Sequence, residues 1–85
     1  MQEQTKTLDD LRTAPNYERG YRFENVKTGE VSVFSKLREG VKTFYGNDNL
    51  MSQYQTIYSA LYTRKHKYYY RHGVKVEIVS LNEYL

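Results

Sequence analysis

No cysteine occurs among the 85 residues, which excludes disulfides and thiolate metal sites and makes a reducing cytoplasmic compartment the expectation. Tryptophan is also missing, and there is a single proline. No apolar run approaches the roughly 20 residues of a membrane span, so no membrane partner is expected. The opening MQEQTKTLDD is polar and acidic, which is not the order of a signal peptide. The five glycines, 20, 29, 40, 46 and 73, stand singly, so no phosphate-cradling loop is suggested. His66 and His72 are the only histidines. On one strand rising about 3.3 Å per residue they lie too far apart to chelate one ion, and no metal or cofactor is expected. The spacings of serine hydrolases, Walker loops, zincins and EF-hands are absent, and the adjacent carboxylates Asp9-Asp10 fall in a polar tail that would not desolvate them. The expectation is a protein that is not an enzyme.

What is present is aromatic and basic. Ten tyrosines and three phenylalanines supply most of the apolar area, in a chain so short that folding buries only about 60% of its unfolded surface. The net charge of +3 is unevenly spread. Residues 1–34 hold five basic and six acidic side chains, residues 35–71 seven and two, and residues 72–85 one and two. A cationic middle suits an anionic partner.

Pattern divides the chain into residues 1–16, a flexible tail or short docking helix stopped at Ala14-Pro15-Asn16, and one domain over residues 17–85. In YRFENVKTGEVSVF, alternation around Lys27-Thr28-Gly29 predicts a β-hairpin with its glycine in a left-handed position. At Ser35 the period changes. Ser35 is the expected N-cap of a helix over about 36–45, with Leu37, Val41, Phe44 and Tyr45 inward, ended by Gly46. Asn47-Asp48-Asn49 introduces a second helix over about 50–63 with Leu50, Tyr54, Ile57 and Leu61 on one stripe. Its other face, Ser52, Gln55, Ser59 and Tyr62, flanked by Gln53, is uncharged and rich in hydrogen-bonding groups.

RKHKYYYRHG starts a second hairpin, whose loop length decides which tyrosines face inward. A three-residue loop, Arg71-His72-Gly73, puts Tyr70 opposite Val74, Tyr68 opposite Val76, His66 opposite Ile78 and Lys67 opposite Glu77. A two-residue loop, His72-Gly73, puts Tyr70 opposite Lys75. The longer loop is the more consistent choice, making Tyr68 and Tyr70 core and Lys65, Lys67 and Tyr69 an outward stripe. The expected fold is α+β, in the order ββααββ.

Two short helices with amides and hydroxyls on the outward face of the second suit a helix-turn-helix, in which small polar groups reach base edges in the major groove. Gln53 and Gln55 are the expected adenine readers, with Ser59 beside them. Lys36, Arg38 and Lys42, and then Arg64, Lys65, Lys67 and Arg71, are the expected phosphate contacts. Tyr62 and Tyr69 are candidate stacking platforms for unpaired bases, whereas Tyr54 and Tyr58 read as core. The expected partner is duplex DNA.

The stretch VFSKLREGVKTFYG…IYSALYTRKHKYYYRHGVKVEIVS resembles the nuclease-associated modular domains, small helix-turn-helix modules found beside homing endonuclease domains. The likeness spans about residues 20–80 and rests on a strand ending in Phe34-Ser35, a small residue (Gly40) within the first helix, Ile57 followed by Leu61 in the second, and a closing strand. It implies DNA binding by the second helix. Two departures stand out: Gly40 where alanine is usual, and a longer Gly46–Ser52 connection. In size, lack of cysteine and tyrosine content the chain also resembles phage-encoded inhibitors of host nucleic-acid enzymes, anti-CRISPR proteins among them. That likeness implies a host nuclease, or a protein–nucleic-acid complex, as partner. A virion-assembly role would predict oligomers formed through the tyrosines.

Overall fold

The computed structural model describes residues 8–15 and 17–83. Residues 1–7 and 16 of the expected tail therefore lie outside the described residues. The elements run α1 (Leu8–Thr13), β1 (Arg19–Asn25), β2 (Val31–Phe34), α2 (Leu37–Tyr45), α3 (Leu50–Tyr58) continued by a π-helical turn (Ser59–Thr63), β3 (Tyr69–Arg71), β4 (Val74–Ser80) and a 3₁₀ turn (Leu81–Glu83). The domain is mixed α+β, as expected, but its order is not plainly ββααββ, because α1 precedes the first hairpin and α3 ends in a wider turn.

The four strands form one antiparallel sheet ordered β2-β1-β4-β3. The two hairpins are thus joined side by side through β1 and β4, which pair from Arg19↔Ser80 to Asn25↔Val74. Their tips also meet, the Val26 N–H donating to the Gly73 carbonyl at 2.9 Å. Alternation sends Tyr21, Phe23, Val74, Val76 and Ile78 to one face, where they join Leu37, Val41, Ile57 and Leu61 in a single core. Phe23, Val41, Ile57, Leu61 and Val76 are fully buried.

Gly40 decides how closely α2 approaches the sheet. A Cβ at this position would lie 2.2 Å from Cε1 of Phe23, so the ring occupies the space of the missing side chain. Phe23 in turn packs 5.3 Å from Phe44 and edge-on, at 5.5 Å, to Phe34. Glycine at this position therefore has a local cause, the aromatic trio packed against the helix.

One expectation about the helices needs correction. Ser35 is not the cap of α2: Lys36 holds that position in an extended conformation and makes no side-chain cap bond. The chain stays extended for one residue more, and the buried Leu37 opens the helix. At the end of the second helix the Arg64 N–H reaches the Ser59 carbonyl and the His66 N–H that of Ala60, closed by Lys65 in a left-handed conformation (φ 57).

The second hairpin takes the shorter loop. His72 (φ 53) and Gly73 (φ 80) are both left-handed, the backbone that two-residue hairpin turns demand. The pairs are Tyr69↔Val76, Tyr70↔Lys75 and Arg71↔Val74. Tyr69 is therefore half-buried against the core, while Tyr68 and Tyr70 are 50% and 54% exposed on the opposite face. The expected Lys67–Glu77 and His66–Ile78 pairs do not form, because β3 begins only at Tyr69. Glu77 instead accepts from Arg22 at 3.1 Å, and Arg22 also holds Glu24 at 2.8 Å.

Helix α1 closes the end of the core. Leu11 is buried in it, and Arg12, almost wholly buried, donates from Nε to the Leu61 carbonyl at 2.7 Å and from Nη2 to the His66 carbonyl at 3.0 Å. The Leu61 carbonyl lies in the last turn of the second helix, where acceptors lack partners within the helix, and that of His66 in the loop that follows.

Candidate nucleic-acid interface

The second helix carries no charged residue from Leu50 to Thr63, in a chain that is 27% charged. Ile57, Ala60 and Leu61 are buried, whereas Met51, Ser52, Gln55, Thr56 and Tyr58 are exposed. Gln55 thus stands on the outer face as expected, and Ser59 is half-buried beside it. Gln53 is half-buried, and its Oε1 is turned inward, buried and without a hydrogen-bond partner among the described residues.

Three tyrosines run along this helix at i, i+4 spacing. Tyr54 and Tyr58 lie 6.0 Å apart between centroids, and Tyr58 stacks on Tyr62 at 4.6 Å. Tyr62 is not a free platform. Its hydroxyl shares a 2.6 Å hydrogen bond with that of Tyr21, and the Arg19 guanidinium lies over its ring, 5.5 Å from the centroid. The π-helical turn makes this possible, since the wider turn changes the angular position of Tyr62 relative to an α-helix and directs it toward the sheet. Burial, followed by the Tyr21 hydrogen bond, pushes the Tyr62 phenol well above the usual tyrosine range. Burial likewise pushes Tyr45 up to about 12, with the neighbouring Tyr69 adding to the shift and Arg71 opposing it. Both phenols stay neutral at physiological pH, so they act as hydrogen-bonding and packing groups. Tyr58, expected in the core, is 45% exposed.

Lys36 and Arg38, at the start of α2, join Arg19, Ser35, Tyr54 and Tyr58 around a cleft of about 340 Å³. A second cleft of about 280 Å³ is lined by Tyr54, Gln55 and Tyr58. The two share the Tyr54–Tyr58 wall. One is cationic, the other aromatic with a single amide.

Comparison with protein-family models, curated proteins and solved structures finds no match.

The expected cations form separate groups. Lys36 and Arg38 border the cleft, at the end of the sheet where β2 finishes and β1 begins. Arg64, Lys65 and Lys67, all exposed, follow the second helix where the chain turns back to begin β3, at that same end of the sheet. Arg71 lies at the opposite end, beside the hairpin turn, where its carbonyl accepts from the Tyr45 hydroxyl at 3.3 Å and its Nε donates to His72 Nε2 at 3.1 Å. Lys42, exposed near the end of α2, is also toward this far end. Tyr69 packs against the core and is half-buried there. Among the described residues, no three His, Asp or Glu side chains converge as metal ligands, and no helix is long and apolar enough to cross a membrane.

Sequence reasoning missed Arg19 and misassigned Tyr58. The i, i+4 tyrosine ladder on an uncharged helix was the available signal for Tyr58. Nothing local marks Arg19, which reaches the cleft only because β1 starts beneath the end of the second helix.

Proposed function

We propose that the protein is a DNA-binding module that presents the uncharged outer face of its second helix to the bases and grips phosphates with the cations around it. The observation that carries this reading is the segregation of charge. The exposed side of α3 offers Ser52, Gln55 and Thr56 without one ionic group, Lys36 and Arg38 stand beside it, and Arg64 and Lys65 follow its end. Neutral amides and hydroxyls suit base edges, and cations suit phosphates. With Gln53 turned inward, Gln55 is the principal base reader in this scheme, and Lys42 and Arg71 fall outside the main contact.

The test is binding to mixed-sequence duplex DNA over a salt series. Three to five phosphate contacts give a log–log slope of roughly 3 to 4, at about 0.9 per phosphate. Gln55→Ala should relax sequence preference, whereas Lys36→Ala should weaken binding to all sequences alike. A flat salt response would exclude the electrostatic grip.

A second reading, binding and inhibition of a host nucleic-acid enzyme, is favoured by a different surface. Tyr68, Tyr70 and Val31 are about half exposed on the sheet face opposite the helices. Lys75 lies 4.8 Å over the Tyr68 ring there, and aromatic side chains of this kind are frequent interface anchors. Under this reading a complex with a host nuclease persists at high salt and is lost on replacing Tyr70 by Ser.

A further inference from the structure

Resting on the DNA-binding reading, we infer that the paired clefts beside α3 form a pocket for one unpaired nucleotide, so that the module favours duplexes with an extrahelical or terminal unpaired base. The cleft lined by Tyr54, Gln55 and Tyr58, about 280 Å³, offers ring surface and one amide. The adjoining cleft, about 340 Å³, brings Lys36 and Arg38 to the same tyrosine wall, with Ser35 at its rim; Arg19 also lines it, its Nη1 already donating to the Ala14 carbonyl. An aromatic surface and a phosphate-binding surface that share a wall match the two halves of a nucleotide. Both volumes lie near the small end of ligand pockets, which suits a single nucleotide and not a helix or strand of a protein partner.

The components are held in place before any ligand arrives. Tyr58 is fixed on its far side by stacking on Tyr62, which is itself tied to Tyr21 and capped by Arg19. The exposed part of Tyr58, together with Tyr54, then meets a base without first having to be ordered. Base–aromatic stacking tolerates any base, but Gln55 at the rim can pair bidentately with the edge of adenine. Fully paired DNA offers no ring to this wall, since its bases are stacked on one another. An extrahelical nucleotide brings a free ring and its own phosphate together.

The experiment measures fluorescence anisotropy with three labelled DNAs: a short blunt duplex, the same duplex with one bulged adenosine, and the same with an abasic residue in the bulge. Roughly tenfold tighter binding of the adenosine bulge than of the blunt duplex is expected, with the gain lost at the abasic site. In Tyr58→Ala the bulged DNA should bind no better than the blunt one, and 2-aminopurine placed in the bulge should lose the fluorescence quenching that it shows with the unsubstituted protein. Equal affinities for all three DNAs would overturn the nucleotide pocket and leave duplex binding standing. Binding of none would overturn both. A bulge preference that survives in Tyr58→Ala would put the base elsewhere and overturn the assignment.

Discussion

Replacing Gly40 by alanine tests the tightest contact in the core. The added Cβ would meet Cε1, Cζ and Cδ1 of Phe23 at 2.2, 2.6 and 2.8 Å, whereas ordinary contact begins near 3.4 Å. The helix or the ring must therefore yield by about 1.2 Å, the difference between 3.4 and 2.2 Å. The ring has little room to do so, being fully buried and bounded by Phe34 and Phe44. Two effects oppose each other. Alanine is the better helix former by about 1 kcal/mol, while overpacking a rigid site costs about 1–3 kcal/mol. Because the obstacle is an aromatic ring held on several sides and not the end of a flexible chain, overpacking should cost about 2–3 kcal/mol, the upper half of that range, and leave a net loss of about 1–2 kcal/mol. In a domain of this size that lowers Tm by about 4–8 °C for each kcal/mol. Urea unfolding followed by tyrosine fluorescence and circular dichroism measures the loss. Phe23→Leu supplies the control: in that background the alanine should be neutral or stabilising, giving a coupling of about 2 kcal/mol between the two positions. A Gly40→Ala protein as stable as the original would refute the close approach of α2 to Phe23.

Four further outcomes test the packing and the turns. Ile57→Ala empties a fully buried position and should cost about 2–5 kcal/mol by urea denaturation; a cost below about 1 kcal/mol would mean that α3 is not seated on the sheet. Tyr62→Phe leaves the Tyr21 hydroxyl without its 2.6 Å partner and should cost about 1 kcal/mol. The pH dependence of stability is a separate check. The phenols of Tyr62 and Tyr45 titrate above the ordinary value of about 10 when folded, so the stability they lend is intact below pH 10 and drains away as pH rises through the folded values, about 12 for Tyr45. The urea midpoint should fall across that window, less steeply in Tyr62→Phe, and a midpoint constant to pH 12 would contradict the burial of both groups. His72→Asn supplies the residue that two-residue turns prefer and should stabilise by a few tenths of a kcal/mol; a loss above 1 kcal/mol would argue against the left-handed pair at His72-Gly73.

Much of the architecture was legible wherever a residue's chemistry left no alternative. Gly29 and Gly46 lie at positive φ where the pattern put turns, and Val41, Ile57 and Leu61 are buried where helical spacing put them. The candidate site was legible only in part. Lys36, Arg38 and Gln55 meet at the clefts beside α3, but Gln53 and Tyr62 turn inward and Arg71 stands at the far end of the sheet. Gln53 and Tyr62 lie on the flanks of the helix stripe, where small changes in the packing angle, or one π-helical turn, move a side chain between solvent and core.

From its residues alone, the chain determined a mixed α+β domain with paired helices between two hairpins, because apolar side chains recurring at periods of two and of 3.6 can be buried in few other ways. Only the tertiary structure decided the register of the second hairpin and the assembly of the cleft. Tyr68, Tyr69 and Tyr70 are chemically identical, so a slip of one residue exchanges one tyrosine for another, and hydrophobic pattern cannot choose between the faces. The choice fell to backbone geometry at His72-Gly73 and to the space beneath α2 and α3, while Arg19 and Tyr58 became neighbours through strand pairing and helix packing that neither residue's local sequence encodes.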